Sequence, residues 1–172
     1  MAVAGIDQRK IHMLAREKLP KLGYDKPTCL HWPMLPSLTG SGEKMSSSKK
    51  ETMFPLHADP EHIREVVEDA FCPAGQIKDN PVLALAKFFV FGADEDLAVE
   101  RDEEYGGDVT FASYGAVEDA FASEDLHPVD LKDAVATTLV DRLEPVRDRF
   151  REEPELLEPL REIGHDDPDY LS

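Results

Sequence analysis

The 172-residue chain has little cysteine, no long apolar run and a deficit of positive charge. Its two cysteines, Cys29 and Cys72, lie far apart with no Cys-x-x-Cys pair and no histidine cluster near either, which disfavours a disulfide framework and a zinc site. No apolar stretch approaches the roughly 18 residues that a membrane span needs, and the first residues do not resemble a signal peptide. We therefore expect a cytoplasmic protein that binds no membrane.

The charge is strongly acidic and unevenly distributed. Lysine and arginine total 19 against 36 aspartates and glutamates, a net charge of −17, which excludes a simple basic nucleic-acid binder. Residues 1–50 carry nine basic and four acidic side chains, whereas residues 51–172 carry ten and 32. An acidic surface of this kind is typical of adaptation to high salt and does not indicate a particular binding partner. The basic first fifty residues indicate where an anionic substrate would bind.

Hydrophobic periodicity predicts a mainly α-helical chain. The first part reads as an amphipathic helix over residues 7–22, a buried strand over Thr28–Trp32 and a loop over Ser37–Lys50. An acidic stretch, residues 94–104, lacks a core face and is predicted to be a surface loop, and residues 109–111 read as an extended piece. Helices are predicted to start at Asp59, Asn80, Ser113, His127 and Pro154, the one at His127 being the longest.

The most informative loop is residues 40–50, with the sequence GSGEKMSSSKK. Hydroxyl and ammonium groups on a glycine-containing loop suit a polyanion, because they donate hydrogen bonds and supply positive charge to phosphate oxygens. The spacing of a Walker A loop is absent. Loops rich in serine and lysine are also common as solvated linkers, so composition alone leaves both interpretations open.

The string KMSSS at residues 44–48 resembles the second signature of class I aminoacyl-tRNA synthetases, a mobile loop that closes over ATP. Residues 5–17 (GIDQRKIHMLARE) are similar to a helix of the tyrosyl-tRNA synthetases of the archaeal and eukaryotic type. The segments CPAG (72–75), YGGD (105–108) and HPVDLK (127–132) match the same family in the same order. Tryptophanyl enzymes share the GIDQ opening of residues 5–17 but not the RKIHMLARE that follows it, so the resemblance favours tyrosine and keeps a tryptophanyl-type enzyme as the alternative.

The resemblance implies a tyrosine–tRNA ligase that uses ATP, with Mg²⁺ accompanying the nucleotide and no protein-bound metal. It implies that Gln8 contacts the bound tyrosine. The signature departs from its archetype at Ser47, where the family has lysine, and Lys49 or Lys50 are the candidates to supply that charge. The implied ATP-binding residues are Lys44, Met45, Ser46, Ser47 and Ser48, of which Lys44 and the three serines are the implied catalytic groups.

The resemblance also implies that the helical part binds the anticodon of tRNA-Tyr. Tyr105 matches an aromatic residue that stacks on the first anticodon base, and Asp130 is expected to accept a hydrogen bond from a guanine edge. His127 and Pro128 complete this expected set. Without the resemblance, Tyr105 reads equally well as a half-buried loop tyrosine. His127, Pro128 and Asp130 also fit a helix start with no further role, since an acidic residue in the first turn suits the helix dipole.

The first signature of the class, His-x-Gly-His, does not precede Lys44 in this sequence. We therefore expect the C-terminal half of a synthetase, inactive alone. The resemblance implies that the complete enzyme is a homodimer of archaeal type, and the acidic composition indicates a halophilic source. The predicted domains are residues 1–58, the tail of a Rossmann-like catalytic domain with one helix, one short strand and the KMSSS loop, and residues 59–172, a helical anticodon-binding domain. A non-catalytic tRNA-binding module and an acidic interaction protein that has lost RNA binding are the other hypotheses.

Overall fold

The computed structural model describes residues 1–40, 42, 45, 54–93 and 95–159. The chain divides into two compact units, Met1–Leu35 and Pro36–Ser172. Within the described ranges, no helix combines the length and the apolar character that crossing a bilayer requires.

The first unit is a strand–helix–strand motif. Its two strands are parallel, with Ala2 opposite Cys29 and Gly5 opposite Trp32. Parallel strands need a crossover connection, which the intervening helix provides. The elements are β1 (Ala2–Gly5), α1 (Arg9–Lys18) and β2 (Cys29–Trp32), with 3₁₀ turns at Ile6–Gln8 and Leu19–Leu22 on either side of α1.

The apolar residues of the first unit are largely exposed. The helix predicted over residues 7–22 is present, but Leu14 on its apolar face is 55% exposed, and no residue of α1 is buried. The prediction of a buried strand is wrong in the same way, because Leu30 and Trp32 of β2 both lie in contact with solvent. Periodicity identifies an apolar face, whereas burial depends on a second segment that covers it. No residue of this unit provides that cover.

The second unit is built from helices and one small sheet. Its α3 continues through a π-helical stretch, Ala86–Val90, and a 3₁₀ turn, Phe91–Ala93. Further 3₁₀ turns lie at Glu103–Tyr105 and Pro154–Leu157. The remaining elements are α2 (Pro60–Asp69), α3 (Pro81–Leu85), β3 (Leu97–Val99), β4 (Val109–Phe111), α4 (Tyr114–Ala122) and α5 (Pro128–Glu152).

The core of this unit forms around α5, the longest helix. Leu131, Val135 and Leu139 follow one another at intervals of four residues and are buried, as are Ile63 and Val67 of α2. Each such side chain contributes roughly 1.5–3 kcal/mol when it is removed from water. Packing of α2 on α5 therefore holds the start of α5 in a fixed position.

The predicted surface loop at residues 94–104 is wrong. Residues 97–99 form β3, which pairs antiparallel with β4 so that Leu97 faces Phe111 and Val99 faces Val109. Leu97 and Val99 are buried. Three alternating residues inside an acidic stretch are too short a pattern to mark a strand, so the pairing with β4 decides the structure.

The predicted helix starts at Asn80 and Ser113 are confirmed by their caps. Asn80 Oδ1 accepts hydrogen bonds from the backbone N–H groups of Val82 and Leu83 at 3.0 and 3.2 Å, and Ser113 Oγ accepts from Ala116 at 3.3 Å. Such caps satisfy backbone donors that have no partner within the helix. The sequence signals for these two helices were therefore local and sufficient.

The segment on either side of the KMSSS loop packs with the helical unit. Leu38, Phe54 and Ala58 are buried and belong to the same core cluster as α2 and α5. The functional boundary predicted between residues 58 and 59 stays a prediction. By packing, the described residues from Pro36 onward belong to the same compact unit as the helices, so the boundary between the compact units lies between Leu35 and Pro36.

Candidate nucleic-acid interface

The N-terminus of α5 places three of the predicted RNA-contacting residues. His127 is the N-cap, and its Nδ1 accepts a hydrogen bond from the backbone N–H of Val129 at 3.3 Å. Pro128 occupies the first helical position, where the missing N–H costs nothing. Asp130 lies in the first turn, where a carboxylate is favoured by the helix dipole.

Tyr105 ends a short 3₁₀ turn whose geometry exposes its ring. The backbone N–H groups of Tyr105 and Gly107 both donate to the carbonyl of Asp102, at 2.9 and 3.1 Å. Gly106 and Gly107 have φ values of +99° and +70°, a left-handed pair that glycine adopts without strain. The Tyr105 side chain is 67% exposed. A phenol ring held this way offers a face for stacking.

The structure brings Tyr105, His127 and Asp130 together around one concavity of about 550 Å³. These residues come from two segments of the chain, the turn after β3 and the start of α5. Pro128 lies between two lining residues without itself lining the concavity. Among the described residues, the concavity is lined by Arg101, Tyr105, Glu124, Asp125, His127, Val129 and Asp130.

A second concavity of about 560 Å³ adjoins the first, since Val129 and Asp130 line both. On this side Lys132 Nζ donates to the carbonyl of Glu68 at 2.6 Å, and Arg64 Nη1 donates to Thr137 Oγ1 at 3.0 Å. Asp130 therefore lines both concavities and is partly exposed.

The chemistry of this surface suits an unstacked base of a single-stranded RNA loop. Such loops are recognised by stacking on aromatic rings and by hydrogen bonds to base edges. Tyr105 supplies the ring and Asp130 a carboxylate that accepts from N–H groups. The acidic residues among the lining make this a poor general phosphate site, so its selectivity has to come from the base.

Within the implied ATP loop, residues 40–50, the structure describes Gly40, Gly42 and Met45. Lys44, Ser46, Ser47 and Ser48 lie outside the described residues, as do Lys49 and Lys50. Met45 is half-buried and packs against the core of the helical unit. The residues that could supply catalytic charge therefore stay a prediction.

The start of that loop is fixed to the end of α2. Gly40 has a φ of +66° and donates to the carbonyl of Ser37 at 3.0 Å, while the N–H of Phe71 donates to the carbonyl of Leu38 at 2.7 Å. A Cβ at position 40 would lie 2.0 Å from Cγ of Phe71. Only glycine fits both the backbone angle and the space.

Three comparisons with known proteins bear on this geometry. A family model described as tRNA synthetases class I (W and Y) matches residues 1–144. The chain belongs to the class I tRNA synthetases (W and Y). The matched range includes the KMSSS loop, the Tyr105 turn and the first turns of α5.

Relatives of this class I synthetase chain are similar in sequence over most of its length. It is 50% identical over 147 residues to the tyrosine–tRNA ligase of Methanopyrus kandleri, which covers 86% of this chain and 45% of the relative. The chain thus spans about half the length of the curated relatives it matches.

Solved structures support the same fold for this synthetase chain. The tyrosyl-tRNA synthetase of Archaeoglobus fulgidus complexed with L-tyrosine matches with a TM-score of 0.78 at 49% identity, covering 86% of this chain and 46% of that one. That of Aeropyrum pernix matches with a TM-score of 0.82 at 38% identity, covering 96% and 48%. The fold is that of class I synthetases, as predicted.

Gln8, the implied tyrosine-binding residue of the synthetase, belongs to the first unit. It ends the 3₁₀ turn before α1 with its side chain exposed, and its Nε2 donates to Asp7 Oδ2 at 3.3 Å. The first unit also contains a contact between His12 Nδ1 and His31 Nε2 at 2.9 Å. Across the described ranges, no cluster of three or more potential metal ligands is present.

Sequence reasoning missed Arg101, Glu124 and Asp125 on the wall of the synthetase's concavity. Arg101 is a single basic residue in an acidic stretch that reads as a surface loop, so nothing local distinguishes it. Glu124 has a φ of +64°, which no sequence signal announces in a residue other than glycine. These residues become recognisable only when the turn after β3 meets the start of α5.

Proposed function

We propose that this chain is the part of a tyrosine–tRNA ligase that carries the ATP-closing loop and binds the anticodon of tRNA-Tyr. The observation that carries the proposal is the concavity that joins Tyr105, His127 and Asp130 in a class I synthetase chain. Tyrosine is favoured over tryptophan because the relatives that are about half identical to the chain are tyrosine–tRNA ligases.

Two segments, the Tyr105 turn and the start of α5, contact the anticodon in different ways. The exposed ring of Tyr105 stacks on the first anticodon base, a contact of roughly 1–3 kcal/mol that tolerates any base. Asp130 accepts a hydrogen bond from the edge of that base and so prefers guanine. His127 and Pro128 fix the start of α5 and with it the position of the carboxylate.

Activation of tyrosine requires the KMSSS loop. An oxygen of the tyrosine carboxylate attacks the α-phosphorus of ATP, the bond from that phosphorus to the bridging oxygen breaks, and pyrophosphate leaves. Lys44 and the hydroxyls of Ser46, Ser47 and Ser48 stabilise the charge that develops on the leaving group. Gln8 contacts the tyrosine. The tyrosyl group then passes to the terminal ribose of the tRNA.

The complete enzyme is a homodimer that uses Mg²⁺ with ATP. It is cytoplasmic, because charged tRNA is consumed where translation takes place. The charge of −17 fits an organism that lives at high internal salt. We expect the 172-residue chain alone to bind tRNA without activating tyrosine, because no His-x-Gly-His motif precedes Lys44 in it. A ligase that activates tryptophan is the competing hypothesis.

Pyrophosphate exchange tests this proposal. The chain is assayed alone and together with the half of a tyrosyl-tRNA synthetase that carries the His-x-Gly-His motif, with tyrosine or tryptophan as the substrate. We expect exchange only in the combined enzyme and only with tyrosine. Lys44→Ala should slow adenylate formation by roughly two orders of magnitude, with far smaller changes in the binding of tyrosine and ATP. Exchange with tryptophan, or an unchanged rate for Lys44→Ala, contradicts the proposal.

A further inference from the structure

Arg101 connects the two segments that form the concavity. Its Nε donates to the carbonyl of Gly107 at 3.0 Å, and its Nη1 donates to the carbonyl of Asp125 at 3.1 Å. Its backbone N–H donates to Asp108 Oδ1 at 3.0 Å. The first carbonyl belongs to the turn that carries Tyr105, and the second lies two residues before His127.

The shape of the turn brings it close to the guanidinium. With Gly106 and Gly107 in left-handed conformations, the carbonyl of Gly107 meets Nε of Arg101. A Cβ on Gly106 would lie 3.5 Å from Arg101 Nη2, so the turn packs directly on this side chain. Because the guanidinium is planar and its donors have fixed directions, the two hydrogen bonds set the two segments at one spacing.

Two roles are compatible with a basic residue at this place. Arg101 could attract RNA phosphate as a positive charge, or it could hold Tyr105 and Asp130 at the separation that lets one base be stacked and read at once. Among the described residues that line the concavity it is the one arginine or lysine, beside Glu124, Asp125 and Asp130. Two of its five N–H groups are already donated to backbone carbonyls, which favours the second role.

We propose that Arg101 is a positioning residue for base recognition, which couples the Tyr105 turn to the start of α5. This inference rests on the proposed function and adds to it a residue that does not itself read the base. Loss of the coupling lets the two segments move independently. Selectivity for the first anticodon base should then fall, while the attraction of the chain for RNA phosphate stays the same.

The test measures binding of the 172-residue chain to two anticodon hairpins that differ only in having guanine or adenine as the first anticodon base. Variants are Arg101→Lys, which keeps the charge, and Arg101→Gln, which removes it. Arg149→Lys is the matched control, because Arg149 pairs with Glu153 on the exposed face of α5, outside the lining of the concavity. Each affinity is measured at several KCl concentrations, and amide hydrogen exchange is followed in the free chain.

We expect wild type and Arg149→Lys to prefer the guanine hairpin about tenfold, the effect of one good base contact. Both Arg101 variants should lose most of that preference, because lysine cannot donate to both carbonyls in the same geometry. The slope of log affinity against log salt should be unchanged. Amide exchange should rise together at Gly107 and at residues 125–127.

Three outcomes overturn the inference. Full preference in Arg101→Lys together with a salt slope reduced by about one in Arg101→Gln identifies a phosphate contact instead. Wild-type preference in both variants shows that Arg101 has no part in base selection. If the wild-type chain binds both hairpins alike, the proposed anticodon role itself fails, and amide exchange then shows whether the link between the two segments exists without RNA.

Discussion

The two units of this chain show opposite relations between sequence pattern and burial. In residues 1–35 the strands and helix carry apolar residues at the expected spacing, yet none of those residues is buried. In the described residues from Pro36 onward, the same kinds of pattern produce a core with many fully buried side chains. Hydrophobic periodicity therefore predicts an element and its apolar face, whereas burial depends on which other segments pack against that face.

Charge follows the same division. Residues 1–35 have six basic and three acidic side chains, whereas residues 36–172 have thirteen and thirty-three. The first unit is thus weakly positive, and the second is strongly negative.

The largest difference is expected for leucine truncation in the two helical faces. Leu139 of α5 is 1% exposed, so Leu139→Ala should lower the free energy of unfolding by about 2–5 kcal/mol. Leu14 of α1 is 55% exposed, and Leu14→Ala should change it by less than about 0.5 kcal/mol. Urea unfolding of the whole chain, followed by circular dichroism, measures both. Equal losses for the two variants would show that α1 is covered.

A smaller difference is expected for two glycines that share a left-handed backbone. Gly23 has a φ of +83° with open space at its Cβ position, and Gly40 has a φ of +66° with the Phe71 ring at that position. Gly23→Ala should cost roughly 1–2 kcal/mol from the backbone alone. Gly40→Ala should cost about 1–3 kcal/mol more, because Phe71 has to move. Denaturant midpoints of the two variants measure these losses of stability. Identical losses would mean that the Phe71 ring moves aside at no cost.

The two cysteines probe the same contrast chemically. Cys29 in β2 is partly exposed, whereas Cys72 is buried, and burial raises the pKa of the Cys72 thiol more than the Asn80 hydrogen bond and the Lys132 charge lower it. Since the thiolate is the reactive form, alkylation of Cys72 at neutral pH should be at least about tenfold slower than that of Cys29. Mass spectrometry after timed iodoacetamide treatment measures both rates. Faster modification of Cys72 would contradict the burial.

The smallest difference between the units is expected in how their unfolding depends on salt. Raising KCl from about 0.1 to 3 M screens repulsion among the carboxylates, so the melting temperature of the helical signal should rise by several degrees. The fluorescence of Trp32, the single tryptophan, reports on the weakly charged first unit and should change less. A helical melting temperature independent of salt would count against a halophilic origin.

Much of the fold was predictable because its signals are local. Asn80-Pro81 and Ser113 mark helix starts by side-chain caps, and the spacing of apolar residues after His127 predicts the length of α5. Strand β1 was missed because its pairing with β2 joins residues that are distant in the sequence. Strand β3 was missed for the same reason, since three residues carry too little pattern alone.

The candidate site divides in the same way. Tyr105, His127 and Asp130 could be named from the sequence because they lie in short motifs that resemble a family, and the fold brings them to one concavity. Arg101 could not be named, because its role depends on backbone carbonyls six and 24 residues away. A hydrogen bond from a side chain to a distant backbone leaves no signature in the identity of its acceptor.

We propose that Tyr105 and Asp130 act on the same base by different means. The measurement is aminoacylation kcat/KM of the combined enzyme for Tyr105→Ala and Asp130→Ala, on two tRNA transcripts that differ only in the first anticodon base. Asp130→Ala should lose about tenfold with guanine and little with another base, whereas Tyr105→Ala should lose a similar factor with both. Equal damage by Asp130→Ala on both transcripts would contradict the claim and leave Asp130 as a helix-start residue only.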